Sequence, residues 1–502
     1  MAEYGVLYAY KSPNTQIKRN VWRFIGRLTI MKIIGRNREK DILSNCLSSK
    51  RPEFVVVYGR RRVGKTFLIK EYFNGQFSFY ATGLSDEKTK GQLKAFHASL
   101  KMYGCTEKKV PEDWFEAFSR LRVLLETKEI CRDPVSGRRV VFLDELPWMD
   151  TARSDFRSAL EYFWNSWASS QEDLLLIACG SATSWIIKHM LKERKGFHNR
   201  VTRRIRLLPF TLKECEDLLL NNDIVMTREQ IIECYMVFGG IPYYLNLIDS
   251  RLSLAQNIDE LFFKPYGDLK DEYDELFYSL FKKPEKHLAI IKALSETKNG
   301  RTRQELTEIK EIGGGSVLTE NLQELEQCGF IRRYTNYAKA ANGAYFQLVD
   351  PFVLFSLRFM NSRKQSSWME YIHSPSYNAW RGNAFEICCI NHVSKIKAAL
   401  GIAGVETMEY AWRSETSDPG AQIDLLIDRK DGVVNLCEMR FTDAAVEIDK
   451  SEYGRLTNRL TAFQKEAHPG KAIHMTLVSA NGLSKGKYAS VFQNVITGEQ
   501  LF

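Results

Sequence analysis

The octapeptide Gly59-Arg60-Arg61-Arg62-Val63-Gly64-Lys65-Thr66 matches G-x-x-x-x-G-K-[ST], a spacing in which the glycines let backbone N–H groups turn inward on a row of phosphates. In that pattern Lys65 reaches the β- and γ-phosphates of ATP and the Thr66 hydroxyl holds Mg²⁺. Arg60, Arg61, Arg62, Val63 and Phe67 count with the loop as nucleotide-binding positions. A pair of acids, Asp144-Glu145, ends the apolar run "RRVVFLDELPW". An aspartate at the carboxyl end of a strand holds Mg²⁺ through water, and a glutamate beside it orients and deprotonates the attacking water, so the pair implies hydrolysis as well as binding. Ser181, after Gly180, has two readings of equal standing: a group that senses the γ-phosphate, or a turn or helix cap. A second constellation lies far along the chain, in Glu386, Asp424 and Glu438. Three carboxylates on one point repel unless a hard cation such as Mg²⁺ holds them.

These residues need elements to position them. Phe54 to Tyr58 is a β-branched run of the kind that forms a strand buried on both faces, and a helix-period stretch follows the glycine loop. "QFSFYATGL", "RRVVFLDELPW", "DLLLIACGSATSW" and "RRIRLLPF" supply further strands. About five strands alternating with helices predict an α/β fold with a parallel sheet and right-handed crossovers. "WRGNAFEICCINHVSKIKAAL" predicts one helix carrying Glu386 beside a broad apolar face of Phe385, Ile387, Cys388 and Val393. A glutamate at such a border ordinarily turns its head to water. "AQIDLLIDRKDGVVNLCEMRFT" predicts two strands closed by a turn at Asp431-Gly432. Alternation puts Ile423, Leu425 and Ile427 on one face and Asp424 and Asp428 on the other, and it groups Leu436, Glu438 and Arg440. Pairing these strands brings Asp424 toward Glu438, with Glu386 arriving from the helix.

The bulk of the chain sets the frame. Its 502 residues predict roughly three domains, each with its own core. Apolar content of 44% and charged content of 26% are those of a soluble globular protein. A net charge of +10 admits DNA or another polyanion as a partner without requiring one. Ten scattered cysteines without a C-x-x-C pair, and no long apolar run, predict reduced thiols, a cytoplasmic location and no membrane contact. Residues 1–30 read as an N-terminal extension.

With "IIGRNREKDIL", "YGRRRVGKT", "VVFLDE", "CGS" and "GGIPYYL" in this order, residues of roughly 33 to 250 resemble an archaeal and bacterial family of P-loop ATPases related to the AAA+ and STAND classes. The resemblance implies ATP and Mg as cofactors and a helical lid that places Pro242 near the adenine. It also implies that Arg200, after "KGFHN", reaches nucleotide in cis or from a neighbouring subunit of a homo-oligomer, with Arg203 or Arg204 as substitutes.

"KHLAIIKALSE", "TRQELTEIK" and "SVLTENLQELEQCGFI" predict three helices, and "RRYTNYAKAANGAYFQLVD" a hairpin around Asn342-Gly343; together they spell a winged helix, which the family also has. Its third helix offers Glu320, Glu324 and Glu326 to a DNA groove and no cation, with Arg301, Arg303, Arg332, Arg333 and Lys339 only beside it. Packing is therefore the better reading of this unit. Glu386, "GAQIDLLIDR" and "NLCEMRF" resemble the PD-(D/E)xK nuclease fold in the domain that accompanies this ATPase family. That likeness makes Glu386, Asp424 and Glu438 metal ligands and Arg440, where the family usually has lysine, the cation that steadies water and phosphorane. Arginine forks its donors and cannot lose a proton.

The expected fold is thus an α/β P-loop NTPase with a parallel sheet (31–225) and a helical lid (226–275), then a winged helix (276–362) and an α/β restriction-endonuclease-like domain (376–502). The leading expectation is an ATPase coupled to a nuclease-like domain acting on DNA in defence, mobile-element or repair contexts. The alternative is an ATP-dependent regulatory switch whose nuclease-like module is inactive.

Overall fold

A computed structural model describes residues 33–192, 197, 199–337, 344–360, 367–372, 374–414 and 421–502. The first unit is built on five parallel strands, β1 (Glu53–Tyr58), β2 (Phe79–Thr82), β3 (Arg139–Asp144), β4 (Leu174–Gly180) and β5 (Arg203–Arg206), in the order β2-β3-β4-β1-β5. β3 and β4 are buried along their whole length, because helices cover both faces of the sheet. Alternate residues of β1 serve opposite faces: Val55 and Val57 join one core, Phe54 and Val56 the other. Helix α1 (Lys65–Tyr72) follows the glycine loop directly. Short helices then run from Leu212–Asn221 to Glu272–Leu280; Thr211 with Glu214 and Thr227 with Gln230 form capping boxes that fix where two of them start.

The middle unit holds α2 (Glu285–Ser295), a short strand β6 (Arg301–Thr302), α3 (Arg303–Thr307) and α4 (Gly315–Cys328). After these come β7 (Ile331–Thr335) and β8 (Ala344–Leu348), giving an antiparallel sheet ordered β6-β8-β7. The expected turn at Asn342-Gly343, and Lys339, lie outside the described residues. α4 buries Leu318, Leu322 and Leu325, while Glu320 stays exposed and Glu324 pairs with His287 of α2 at 2.8 Å. The helix packs on Thr183–Ile186 of the first unit, Lys188 pairs with Glu320 at 3.4 Å, and Arg206 donates to the Gln327 carbonyl at 3.1 Å. Arg301 and Arg303 are occupied within the unit, donating to the carbonyls of Ala293 and Gly315.

The C-terminal unit runs α5 (Pro351–Phe355), α6 (Pro375–Asn391), α7 (Val393–Ala399), β9 (Thr407–Arg413), β10 (Gln422–Arg429), β11 (Val433–Arg440), α8 (Lys450–Ala467), β12 (Ala472–Ser479) and β13 (Asn494–Thr497), with strand order β13-β12-β11-β10-β9. β9, β10 and β11 are antiparallel neighbours, and α8 carries the chain across to β12, parallel to β11. α6 covers the face made by Leu425, Ile427, Cys437 and Met439; α8 covers Leu426, Val434 and Leu436.

Three expectations are corrected. The single helix over residues 380–400 is two, broken at His392, whose ring Nε2 accepts the Leu212 N–H at 3.0 Å and whose Nδ1 lies 2.7 Å from the Cys388 carbonyl. Ile423 does not share a face with Leu425 and Ile427: the β9–β10 register shifts between Ile423 and Leu426, and Ile423 joins the α8 side. The middle unit has no core apart from its neighbours: one apolar cluster runs from Val55 and Tyr244 through Leu322 and Phe352 to Phe385 and Ile496, while the first unit keeps a second cluster around Phe54 and Trp114 and the C-terminal unit one around Leu426 and Phe463.

Candidate functional site

The glycine loop leaves β1 at Gly59, where a Cβ would stand 2.2 Å from the Leu207 carbonyl oxygen, and enters α1 at Gly64 with φ +88°. Both positions therefore exclude other residues. Lys65 is buried, and its ammonium donates to the Arg60 carbonyl at 2.8 Å; burial lowers its pKa. Thr66 donates to Asp144 Oδ2 at 2.8 Å, so loop and β3 meet at one point. Glu145, at φ +45°, leaves the strand in a left-handed turn stabilised by its N–H on Asp144 Oδ1. Its Oε2 accepts both the N–H and the hydroxyl of Ser181, at 3.1 and 2.9 Å. Parallel pairing explains the meeting: Gly180 lies beside Tyr58, so the residues after β4 and β1 emerge together.

A cavity of about 420 Å³ opens over this point. Arg61 to Leu68, Glu145 and Ser181 line one end; Ile34, Phe210, Leu218, Pro242, Tyr243 and Asn246 line the other. Every expected nucleotide position except Gly59, Arg60 and Asp144 borders it. Arg60 turns away instead, with its guanidinium fully buried in an ion pair with Asp350. Arg62, at φ +71°, pairs with Glu272 at 2.5 Å and lies over the Tyr243 ring.

Arg200 is not brought to the cavity. β5 runs alongside β1 with Arg203 opposite Val55 and Arg206 opposite Tyr58, so residue 200 precedes the amino end of the sheet while the loop follows its carboxyl end. There it contacts Glu161 at 3.3 Å and Asn165 at 2.5 Å. A reach in cis is excluded by that polarity, and Arg203 and Arg204, at the start of β5, are no better placed.

In the C-terminal unit the β10–β11 register pairs Leu425 with Cys437, which sets Asp424 opposite Glu438 one residue on. The three acids nonetheless do not share a cation. Glu386 and Asp424 converge on Lys298, from the loop after α2, at 2.5 and 3.4 Å. Burial opposes the Lys298 charge, but the two carboxylates outweigh it and raise its pKa. Glu438 accepts instead from Arg440, at 3.2 and 2.9 Å, and from Arg459 of α8. Burial works to raise the Glu438 pKa, and the two arginines more than reverse it. Arg440 also bridges to Glu452. The expected triad of metal ligands is thus corrected: among the described residues no three acidic, histidine or cysteine side chains are gathered to hold a metal ion. Asp424 shares Lys298 with Glu386 of α6, while Glu438 is paired with Arg459 of α8. Glu386 is no water-facing border residue either; it is buried, and burial with Asp424 nearby pushes its pKa up to about 8.

Lys298, Arg459 and Asp350 were not foreseen. Asp350-Pro351 does carry a helix-start signature, and Asp350 accepts the Val353 N–H at 2.9 Å, but a cap signal names no distant partner. Nothing local marks Lys298.

Residues 34–248 match the family described as an ATPase domain predominantly from Archaea. Over 333 residues the chain is 25% identical to an uncharacterised protein of Methanocaldococcus jannaschii, which spans 65% of this chain and 68% of that one. Among solved structures it is similar to the Walker-type ATPase of Pyrococcus abyssi (18% identity, TM-score 0.46, 65% of this chain and 96% of that chain). It is also similar to the ORC2 protein of Aeropyrum pernix in its ADPNP–ADP complexes (14% identity, TM-score 0.42, 65% and 93%). The family match and the strand–loop–helix geometry define residues 34–248 as an α/β ATPase domain of the P-loop kind, with a five-stranded parallel sheet. No helix among the described residues is long and apolar enough to cross a membrane.

Proposed function

We propose that the protein is an Mg²⁺-dependent ATP hydrolase that works as a nucleotide-operated switch, its C-terminal unit being a nuclease-like module held closed. The observation that carries the first part is the meeting of Lys65, Thr66, Asp144 and Glu145 at the mouth of one cavity. Lys65 binds the β- and γ-phosphates, and Pro242 with Phe210 and Tyr243 encloses the adenine. Thr66 and Asp144 put two hard oxygens together, a donor set that suits Mg²⁺ and would hold it there. The ion, when bound, neutralises charge on the phosphates. Glu145, positioned by Ser181, takes the proton of the attacking water. Steady-state ATP hydrolysis by the parent protein, Lys65→Ala and Glu145→Gln tests this reading.

The middle unit is read as a winged helix used for packing, since α4 faces the ATPase domain. A second reading, DNA cleavage, is favoured by the placing of Glu386 on α6, Asp424 on β10 and Glu438 on β11, the helix and strands the nuclease resemblance implies, and by Glu386 and Asp424 sharing one cation. Cleavage of linear and branched DNA with Mn²⁺, lost in Asp424→Asn, would favour it over the switch. A nucleotide role for Arg200 then requires a homo-oligomer. A cytoplasmic location fits the ten free cysteines.

A further inference from the structure

The nuclease-like reading calls for a divalent cation among Glu386, Asp424 and Glu438, and the residues present do not fit one: their positive charge comes from the chain itself. Lys298 Nζ stands between Glu386 Oε1 and Asp424 Oδ2, and Glu438 is committed to two arginines. The second Glu386 oxygen, Oε2, is buried without a hydrogen-bond partner among the described residues. A carboxylate so placed has coordination capacity that one ammonium does not fill.

The segment that delivers Lys298 is held from several sides. Gln347 of β8 donates to the Lys298 carbonyl at 2.7 Å and accepts from Arg332 of β7 at 2.7 Å; Arg332 in turn donates to the Asp424 carbonyl at 3.2 Å. Tyr334 donates to the Asn299 carbonyl, and Gln422 of β10 donates to the Asn299 side chain and to Asp424. The Lys298 side chain is nevertheless 44% exposed, against 9% for Glu386. The Lys298 ammonium therefore reaches the two acids from the solvent side.

We propose that Lys298 is a tethered cation that takes the place of a divalent metal between Glu386 and Asp424, and that removing its ammonium frees the two carboxylates to take one. Two carboxylates with waters are enough for Mg²⁺ or Mn²⁺, so the site does not depend on Glu438. The inference rests on the nuclease-like reading of the C-terminal unit.

The test is Mn²⁺ binding to the full chain without nucleotide, followed by electron paramagnetic resonance, in the parent protein, Lys298→Met and Lys298→Gln, each with and without Asp424→Asn. Lys298→Gln keeps the length of the side chain and guards against a folding failure of the first variant. The expected result is Mn²⁺ bound at least about tenfold more tightly in the Lys298 variants, with the gain abolished by Asp424→Asn, because carboxylates free of the ammonium a tenth of the time bind with a tenth of their affinity. Equal Asp424-dependent binding in the parent and the variants would overturn the role of Lys298 and leave the metal site standing. Folded variants with no Asp424-dependent Mn²⁺ at all would overturn both.

Discussion

Arg60 of the phosphate loop and Asp350 at the start of α5 form an ion pair buried on both sides, with side chains 2% and 3% exposed. The loop that faces the nucleotide cavity is thereby fastened to the junction of the middle and C-terminal units. Removing one partner strands the other charge in the core. Asp350→Ala is expected to cost about 3–5 kcal/mol, while the double variant Arg60→Met/Asp350→Leu recovers much of it. Calorimetric melting of the parent protein and the two variants checks this, and an unshifted transition in Asp350→Ala would remove the pair from the account.

Glu145 is held by both the N–H and the hydroxyl of Ser181. If that grip positions the base, Ser181→Ala lowers kcat by about tenfold and leaves ATP affinity nearly unchanged. A matching loss of affinity would make Ser181 a contact to the phosphates instead.

His392 links the first unit to α6, and burial holds its pKa at about 4, against an ordinary value of 6.5. A histidine depressed in this way contributes stability that is fully present above 6.5 and is lost as pH falls toward 4. The full difference is roughly 3 kcal/mol. Melting temperatures between pH 7 and pH 4.5 are expected to fall more steeply in the parent protein than in His392→Gln; parallel curves would contradict the assignment.

Arg440 divides its donors between Glu438 and Glu452, and Arg459 holds the other Glu438 oxygen. Restoring the lysine of the nuclease pattern is therefore not enough. Arg440→Lys alone is expected to leave DNA uncut in Mn²⁺, since Lys298 and Arg459 remain in place. Cleavage by that single variant would show that Arg440 was the whole obstacle.

The elements were legible where one physical cause dominates. The β-branched run before Gly59, the acids closing "VVFLDE" and the alternation of "NLCEMRF" each specify an element by local pattern, and the hairpin register that sets Asp424 opposite Glu438 follows from the turn at Gly432. What stayed hidden depends on distant partners. Lys298 lies in a polar loop whose meaning appears only when the middle unit docks on the carboxylates. The bulge at Ile423 leaves no mark in the sequence, yet it moves that residue to the α8 side of the sheet. Arg200 cannot reach the loop of its own chain for topological reasons: its distance from the loop in sequence says nothing of the direction of β5.

ATP hydrolysis by Glu145→Gln bears most directly on the central claim, measured beside the parent protein and Lys65→Ala in Mg²⁺. Glu145→Gln is expected to bind ATP as tightly as the parent while turnover falls at least about a hundredfold, and Lys65→Ala to lose binding. Hydrolysis by Glu145→Gln at the parent rate would contradict the assignment of the site.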